Sequence, residues 1–360
     1  MPTAPLARLL LHFDRDADDP DRLRGHLSAC ALDSDGHLWL GTDELTGLSR
    51  LKPKAAGVFA KHRWTDLADK LQLPEKKEEV DVEGLDIEGD RLWLVGSHTN
   101  TRKDAQRKRE PAENLERLTR VAPRPNRCLI ARAQIAGGRL ADGPIAQLPI
   151  GAGGNALTRA LRDDPHLGPF VRDAGEATPG GALLASKENG LDIEGLAACG
   201  DDLWIGLRGP VLRGWALLLA IRAEATAEGA LCLTPIGVGG RPYRKHFVKL
   251  AGMGLRDLCW HGEDLLILAG PTMDIAGPQS VYRLRAAADL PDDSLIEPHG
   301  TRLDLLFHLP LVTDGDKAEG MCRYDGCGEA GLLVVYDAPR RERLVGPDAV
   351  LADVFSLHAS

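Results

Sequence analysis

Several things are scarce in this chain. Aromatic residues make up 4% of the 360 positions, and no run of eighteen apolar residues occurs. The second absence leaves no segment able to cross a membrane as a helix. The short run Leu9-Leu10-Leu11 falls short of a signal-peptide core, so a cytoplasmic protein without a membrane partner is expected. Basic residues are in deficit: 44 Lys and Arg stand against 53 Asp and Glu, a net charge of −9. Such a balance argues against nucleic acid as an electrostatic partner. The seven cysteines are odd in number and scattered, with no Cys-x-x-Cys pair, which reads as reduced, mostly buried thiols. Cys322 and Cys327 are near neighbours but lack further ligands for zinc. There is no Gly-x-Ser-x-Gly elbow and no His-Glu-x-x-His signature. The glycine-rich Gly151-Ala152-Gly153-Gly154 has no Lys-Ser/Thr after it, so it is not a phosphate loop.

Glycine and proline, in contrast, are plentiful at 40 and 23 residues, which suits many short strands joined by turns. One phrase recurs. Asp81-Val82-Glu83-Gly84 precedes Leu92-Trp93-Leu94, and Asp192-Ile193-Glu194-Gly195 precedes Leu203-Trp204-Ile205. Aligned on the tryptophan, five units appear, centred on Trp39, Trp93, Trp204, Leu266 and Leu333. Each follows a turn, such as Gly89-Asp90 or Gly200-Asp201, and another short apolar run lies upstream. Strand, tight turn, strand repeated in units of fifty residues or more is the pattern of β-propeller blades. The expected fold is all-β: a single propeller domain over residues 1–360, with five, or at most six, four-stranded blades. The interval from Trp93 to Trp204 is the longest, at 111 positions. It holds either a degenerate sixth blade or an insertion around 151–188, and the insertion is preferred. Short helices are expected at Trp64–Leu71 and at 155–164, the latter capped by Asn155. The charge runs Glu75–Glu79 and Arg102–Arg109 read as solvated loops. The segment 1–14 reads as a strand that closes the last blade.

In a propeller the start of each innermost strand faces the central channel. The position ten residues before each aligned tryptophan is Ala29, Glu83, Glu194 or Arg256, and Glu319 once the longer last turn is allowed for. Asp81 and Asp192 lie two residues earlier, on the same side by strand alternation. The loops after the second strands contribute Thr42-Asp43-Glu44, Ser97 to Arg102 with His98 and Asn100, Arg208 with Arg213, and Pro271 to Asp274. Converging charges of this kind mark a functional mouth. Each also has a plainer role: the glutamates could pair with Arg256 to lock blades, Arg208 and Arg213 could tie blades together, and His98 could be a solvated or capping side chain. The tryptophans belong to blade cores.

The stretches Val82 to His98, Glu113 to Leu118, Asn189 to Trp215 and Arg244 to Met273 resemble a bacterial family known as domain of unknown function 3616. Arg244 to Phe247, Gly254 to Leu258 and Leu268 to Met273 are its most specific matches. The resemblance spans nearly the whole chain. It implies one propeller-like domain and brings no activity or catalytic residues. The Glu-Gly-Leu openings are also similar to phytase-like esterase propellers and, more loosely, to calcium-dependent lactonase propellers. Two functions are therefore expected in competition. In one, Glu83, Asp192, Glu194 and Glu319 hold Ca²⁺ or Mg²⁺, and the ion polarises a small anionic ester, lactone or phosphoester. Arg208, Arg213, Arg256, Asn100 and Arg102 bind the substrate there, with His98 and Glu194 as catalytic groups. In the other, the propeller binds a small anionic ligand or a protein without chemistry. Nothing in the sequence specifies the oligomeric state.

Overall fold

The computed structural model describes residues 3–14, 20–76, 78–151, 153–171, 183–273, 275–298 and 300–358. Each apolar run centred on an aligned tryptophan or leucine forms the second strand of a four-stranded antiparallel unit. The innermost strands are Leu27–Leu32, Val82–Glu88, Asp192–Cys199, Gly254–His261 and Lys317–Tyr324. Each pairs with its own second strand across a turn and packs against the innermost strand of the next unit, so the five form a ring. The N-terminal strand Ala7–His12 is the outermost strand of the fifth blade, antiparallel to Ala349–Ser356. It also makes a short parallel pairing with Val58–Asp66 of the first blade.

Five apolar clusters hold the ring, one between each pair of neighbouring blades. The aligned positions supply their centres. Trp39 lies between blades one and two, Trp93 between two and three, and Trp204 between three and four. Leu266 and Leu333 take the same place in the two remaining interfaces. Period-two alternation sends one face of each strand to each neighbour, so the strands of both sheets read as continuous apolar runs. Truncating one of these tryptophans would remove about 3–5 kcal/mol of packing.

The glycine of Asp-x-Glu-Gly has a packing reason. A Cβ on Gly84 would lie 2.7 Å from Leu196 Cβ of the next blade. On Gly320 it would lie 2.8 Å from Val335 Cγ2 and 2.9 Å from Ala29 Cα. The innermost strands approach too closely for a side chain there. Gly320→Ala should destabilise the fold by about 1–3 kcal/mol, because a backbone atom of the adjacent blade has to move. Urea unfolding monitored by tryptophan fluorescence measures this directly.

Two local expectations meet different outcomes. Ala156–Arg162 is a helix, and Asn155 caps it by accepting from Thr158 N at 3.0 Å. The described part of 151–188 otherwise contains 3₁₀ turns and no strand. Trp64–Leu71 is not a helix. Trp64 to Asp66 ends the fourth strand of blade one, with Trp64 opposite Ser49. Only one helical turn follows, closed by Leu71 N to Leu67 O at 3.0 Å. Strand pairing with Gly47–Ala55 overrides the local spacing. Between the second and third strands of blade two, Asn100–Arg102 pairs with Val121–Pro123, and Pro111–Leu118 forms an exposed helix between them. No helix among the described residues is long and apolar enough to cross a membrane.

Candidate active site at the channel mouth

All five innermost strands carry an irregularity near their start. The pairing register slips at Ser28, Glu83, Glu194, Arg256 and Glu319. A bulge inserts one extra residue and re-aims its side chain. Here the same device is used five times, and Glu83, Glu194, Arg256 and Glu319 all line one cavity of about 510 Å³ at the end of the channel. In the first blade the ring position is Ser28, not Ala29. The hairpin there encloses five residues, Asp33–His37, between Leu32 and Leu38, where the equivalent pair Ile87 and Leu92 of blade two encloses four, so counting back from Trp39 lands one residue late. Ala29 is packed beneath Gly320. Ser28 Oγ donates to Val82 O and ties blade one to blade two.

The acids and arginines of the mouth form paired networks. Arg208 donates to Asp192 Oδ2 through Nε at 2.9 Å and reaches Glu194 Oε1 through Nη1 at 2.7 Å. Arg256 Nη1 donates to Glu319 Oε1 at 2.5 Å and lies 3.5 Å from Glu194 Oε2, while Nη2 donates to Pro271 O at 3.2 Å. Arg127 joins Asp81 Oδ2 at 2.7 Å, Glu79 at 2.8 Å and Thr99 Oγ1 at 2.9 Å. Glu83 stands apart. Among the described residues it has no hydrogen bond and no ion pair, and its carboxyl opens into the cavity.

Charge is unbalanced in the inner part of the cavity. Seven buried or half-buried carboxylates (Asp43, Asp81, Glu83, Asp192, Glu194, Glu319 and Asp337) face five cations, Arg102, Arg127, Arg208, Arg256 and Lys317. Burial, with like charge added, therefore favours the protonated acids. Burial pushes Glu194 up to about 8 against the pull of Arg208 and Arg256. Asp43 rises to about 7 through burial and the charges of Asp337, Glu319 and Asp81. Asp81 rises to about 6 through burial, despite Arg127. Burial and the surrounding acids lift Glu83 well above the carboxylate range. Burial also raises Asp192 against Arg208, and Glu319 against Arg256.

Not every expected residue comes to this place. His98 lines a different, smaller cavity with Asn100. Asn155 Nδ2 donates to His98 Nε2 at 2.9 Å, and His98 Nδ1 donates to Gly96 O at 2.8 Å. Because Asn155 Oδ1 already accepts from Thr158, the amide orientation and the imidazole tautomer are both set. Burial lowers His98 to about 4, and its ring is held between Asn155 and Gly96 beside the smaller cavity, away from the mouth. Arg213 is exposed in the turn before Trp215–Ala225 and does not line the cavity. Arg102 reaches the rim but is taken up by Glu188, at 2.7 Å through Nη2, and by Leu118 O at 2.5 Å. Met273 lines the rim, and Asp274 lies outside the described residues. Glu83, Asp192, Glu194 and Glu319 do not supply three ligand atoms within 4.8 Å of one another; among the described residues His26, Asp43 and Asp337 do.

Arg127, Ser28, His26, Lys317 and Asp337 do not emerge from the repeat count. For Asp337 a signal exists: it ends the second strand of blade five, Gly331–Asp337, at the register that gives Arg208 in blade three. Arg127 precedes a third strand, where the units share no pattern. A further cavity of about 620 Å³ lies along the same innermost strands, lined by Cys30, Cys259 and Cys322. It lacks a comparable convergence of charge.

A family model for proteins of unknown function, DUF3616, matches residues 26–353. The chain belongs to the DUF3616 family. No curated protein sequence matches it. Similar solved structures include a streptogramin B lyase at 9% identity and TM-score 0.37, with 97% of this chain and 98% of that one covered. The PQQ-bound aldose sugar dehydrogenase of Streptomyces coelicolor is 12% identical, with TM-score 0.39 and coverage of 98% and 99%. Virginiamycin B lyase from Staphylococcus aureus is 10% identical, with TM-score 0.37 and coverage of 98% and 99%. No activity is carried over from such distant likenesses to this DUF3616 chain.

Proposed function

We propose that the channel mouth binds a divalent cation together with a small ligand and hydrolyses an ester, lactone or phosphoester. The observation that carries this is the surplus of seven buried or half-buried carboxylates over five cations around one cavity of about 510 Å³. A hard or borderline cation relieves that repulsion and makes room for an anionic or carbonyl oxygen. When bound, the ion would supply Lewis-acid polarisation of the scissile group. Glu83 is the acid–base residue in this scheme. Its carboxyl opens into the cavity, is not engaged by any arginine, and is held protonated near neutrality by burial and its acidic neighbours. The arginines of the mouth serve to hold Asp192, Glu194 and Glu319 in place and do not reach for substrate.

The test is turnover of p-nitrophenyl acetate, p-nitrophenyl phosphate and a simple lactone by the full chain, with and without EDTA. Expected is chelator-sensitive hydrolysis of one of these, restored by added divalent metal. Glu83→Gln should lower kcat by about 10²–10⁴-fold, the span of general acid–base catalysis, with metal binding retained. The non-enzymatic alternative is favoured by the ion pairs that engage Arg127, Arg208 and Arg256 with carboxylates of the mouth. Thermal stabilisation by a small ligand in EDTA, with no turnover of any substrate, would decide for that alternative.

A further inference from the structure

The geometry points to His26, Asp43 and Asp337 as the cation site of the mouth, built for a borderline transition ion such as Mn²⁺ or Zn²⁺ in preference to Ca²⁺ or Mg²⁺. This rests on the cation-dependent function proposed above and names the ion's place and class.

Three separate segments bring these residues together. His26 enters the innermost strand of blade one, Asp43 leaves its second strand, and Asp337 ends the second strand of blade five. An isolated bridge pairs His26 with Asp337, and Ala338 N donates to Gly25 O at 3.0 Å, fixing the backbone on both sides. His26 Nδ1 stands 3.6 Å from Asp43 Oδ1 and 3.5 Å from Asp337 Oδ1. Hydrogen bonds of this type close to about 2.7–3.2 Å, so these separations are too long. They match the edge of a coordination shell instead: two ligands about 2.1 Å from a tetrahedral ion stand about 3.4 Å apart.

A second observation is independent of that spacing. Asp43 Oδ1, one of the converging ligand atoms, is buried and has no hydrogen-bond partner. Such an oxygen, like Glu194 Oε2 in the same cavity, calls for a partner of the kind a bound ion or an ordered water supplies. Asp337 has an oxygen to spare for an ion, since Lys317 Nζ approaches its other oxygen, Oδ2, at 3.9 Å. Asp43 and Asp337 both line the cavity, so an ion held here faces it, with positions left open for water or substrate as in catalytic sites. The imidazole selects the metal. Histidine nitrogen suits Zn²⁺ and its neighbours, while Ca²⁺ and Mg²⁺ prefer all-oxygen shells.

Isothermal titration of the EDTA-stripped full chain with ZnCl₂, MnCl₂, CaCl₂ and MgCl₂ tests this. Expected is one ion per chain, with Zn²⁺ or Mn²⁺ bound more tightly than Ca²⁺ and Mg²⁺. His26→Ala and Asp43→Asn should each weaken that binding beyond the about 10–100-fold typical of an outer-shell partner, while Glu83→Gln leaves it intact. Unchanged far-ultraviolet dichroism and melting of the stripped variants confirm that they fold. Binding lost in Glu194→Gln but kept in His26→Ala, or a preference for Ca²⁺ or Mg²⁺, overturns this site and leaves the proposed function standing. Binding of none of the four ions overturns both.

Discussion

Replacing Arg256 by methionine is expected to lower stability at pH 8 by about 3–5 kcal/mol, the usual penalty for stranding a buried charge. Arg256 is 4% exposed and answers both Glu319 and Glu194. Methionine fills much of the same volume, so the loss measures the orphaned carboxylates and not a void. The signature is its pH dependence. Glu194 is already raised to about 8 by burial in the intact site, and without Arg256 both acids bind protons more readily still. The penalty should therefore shrink as the pH falls toward 5.5. A second change, Glu194→Leu in the Arg256→Met background, should recover part of the loss, because an apolar pair of similar volume has no charge to desolvate. Denaturant unfolding of the single and double variants at both pH values reads out the whole scheme.

Metal-free protein should lose stability along an alkaline limb that runs from about pH 4.5 to 8, with an opposing acid limb below about pH 6.5. The alkaline limb comes from acids whose folded-state affinity for protons is raised: Glu194 to about 8, Asp81 to about 6 and Glu83 in the same direction. Such groups stabilise fully below their unfolded values and lose that contribution as pH rises through the folded ones. Each contributes a slope of at most about 1.4 kcal/mol per pH unit. The acid limb has the opposite origin. Burial lowers His62, His98 and His246 each to about 4. Between the ordinary histidine range and pH 4 the unfolded chain binds more protons, so this contribution to stability is lost as the pH falls. Glu83→Gln should flatten only the alkaline limb. A saturating divalent ion should raise the melting temperature more at pH 8 than at pH 6, since the protons it displaces are scarcer there. A melting curve series from pH 4 to 9 with and without ion is sufficient; an alkaline limb unaltered by Glu83→Gln would contradict the assignment.

The blades are legible in the sequence because both their signals are local. Gly89-Asp90 and Gly200-Asp201 turn tightly, and alternation does the rest. The ring register transfers correctly to Glu83, Glu194 and Arg256 because their hairpins share one length, and it slips at Ser28, where the hairpin is one residue longer. His98 defeats local reasoning for another reason. Its surroundings in sequence describe a loop, whereas its role is decided by Asn155, 57 residues away. Trp64 is misleading because apolar and charged residues at short spacing fit either a strand or a helix, and only the partner strand decides. The helix Pro111–Leu118 has a start signal in Pro111, with Glu113 and Arg117 placed to complement the dipole, yet it lies within a charged stretch where no apolar face advertises it. His26 and Asp337 meet only because the ring closes, and no neighbourhood in the sequence contains both.

Closure also sets an order of events during synthesis. Ala7–His12 is made before every other strand of the propeller, but its main partner, Ala349–Ser356, is the last of them. Until then the N-terminal strand has only its brief parallel pairing with the first blade, and the fifth blade lacks its outer edge. Blades two to four can assemble as they emerge, each on the one before, whereas the closed junction between blades five and one waits for Ala349–Ser356. A ribosome-stalled chain ending before residue 349 should thus present four blades with a protease-sensitive N-terminus, and an unfinished mouth.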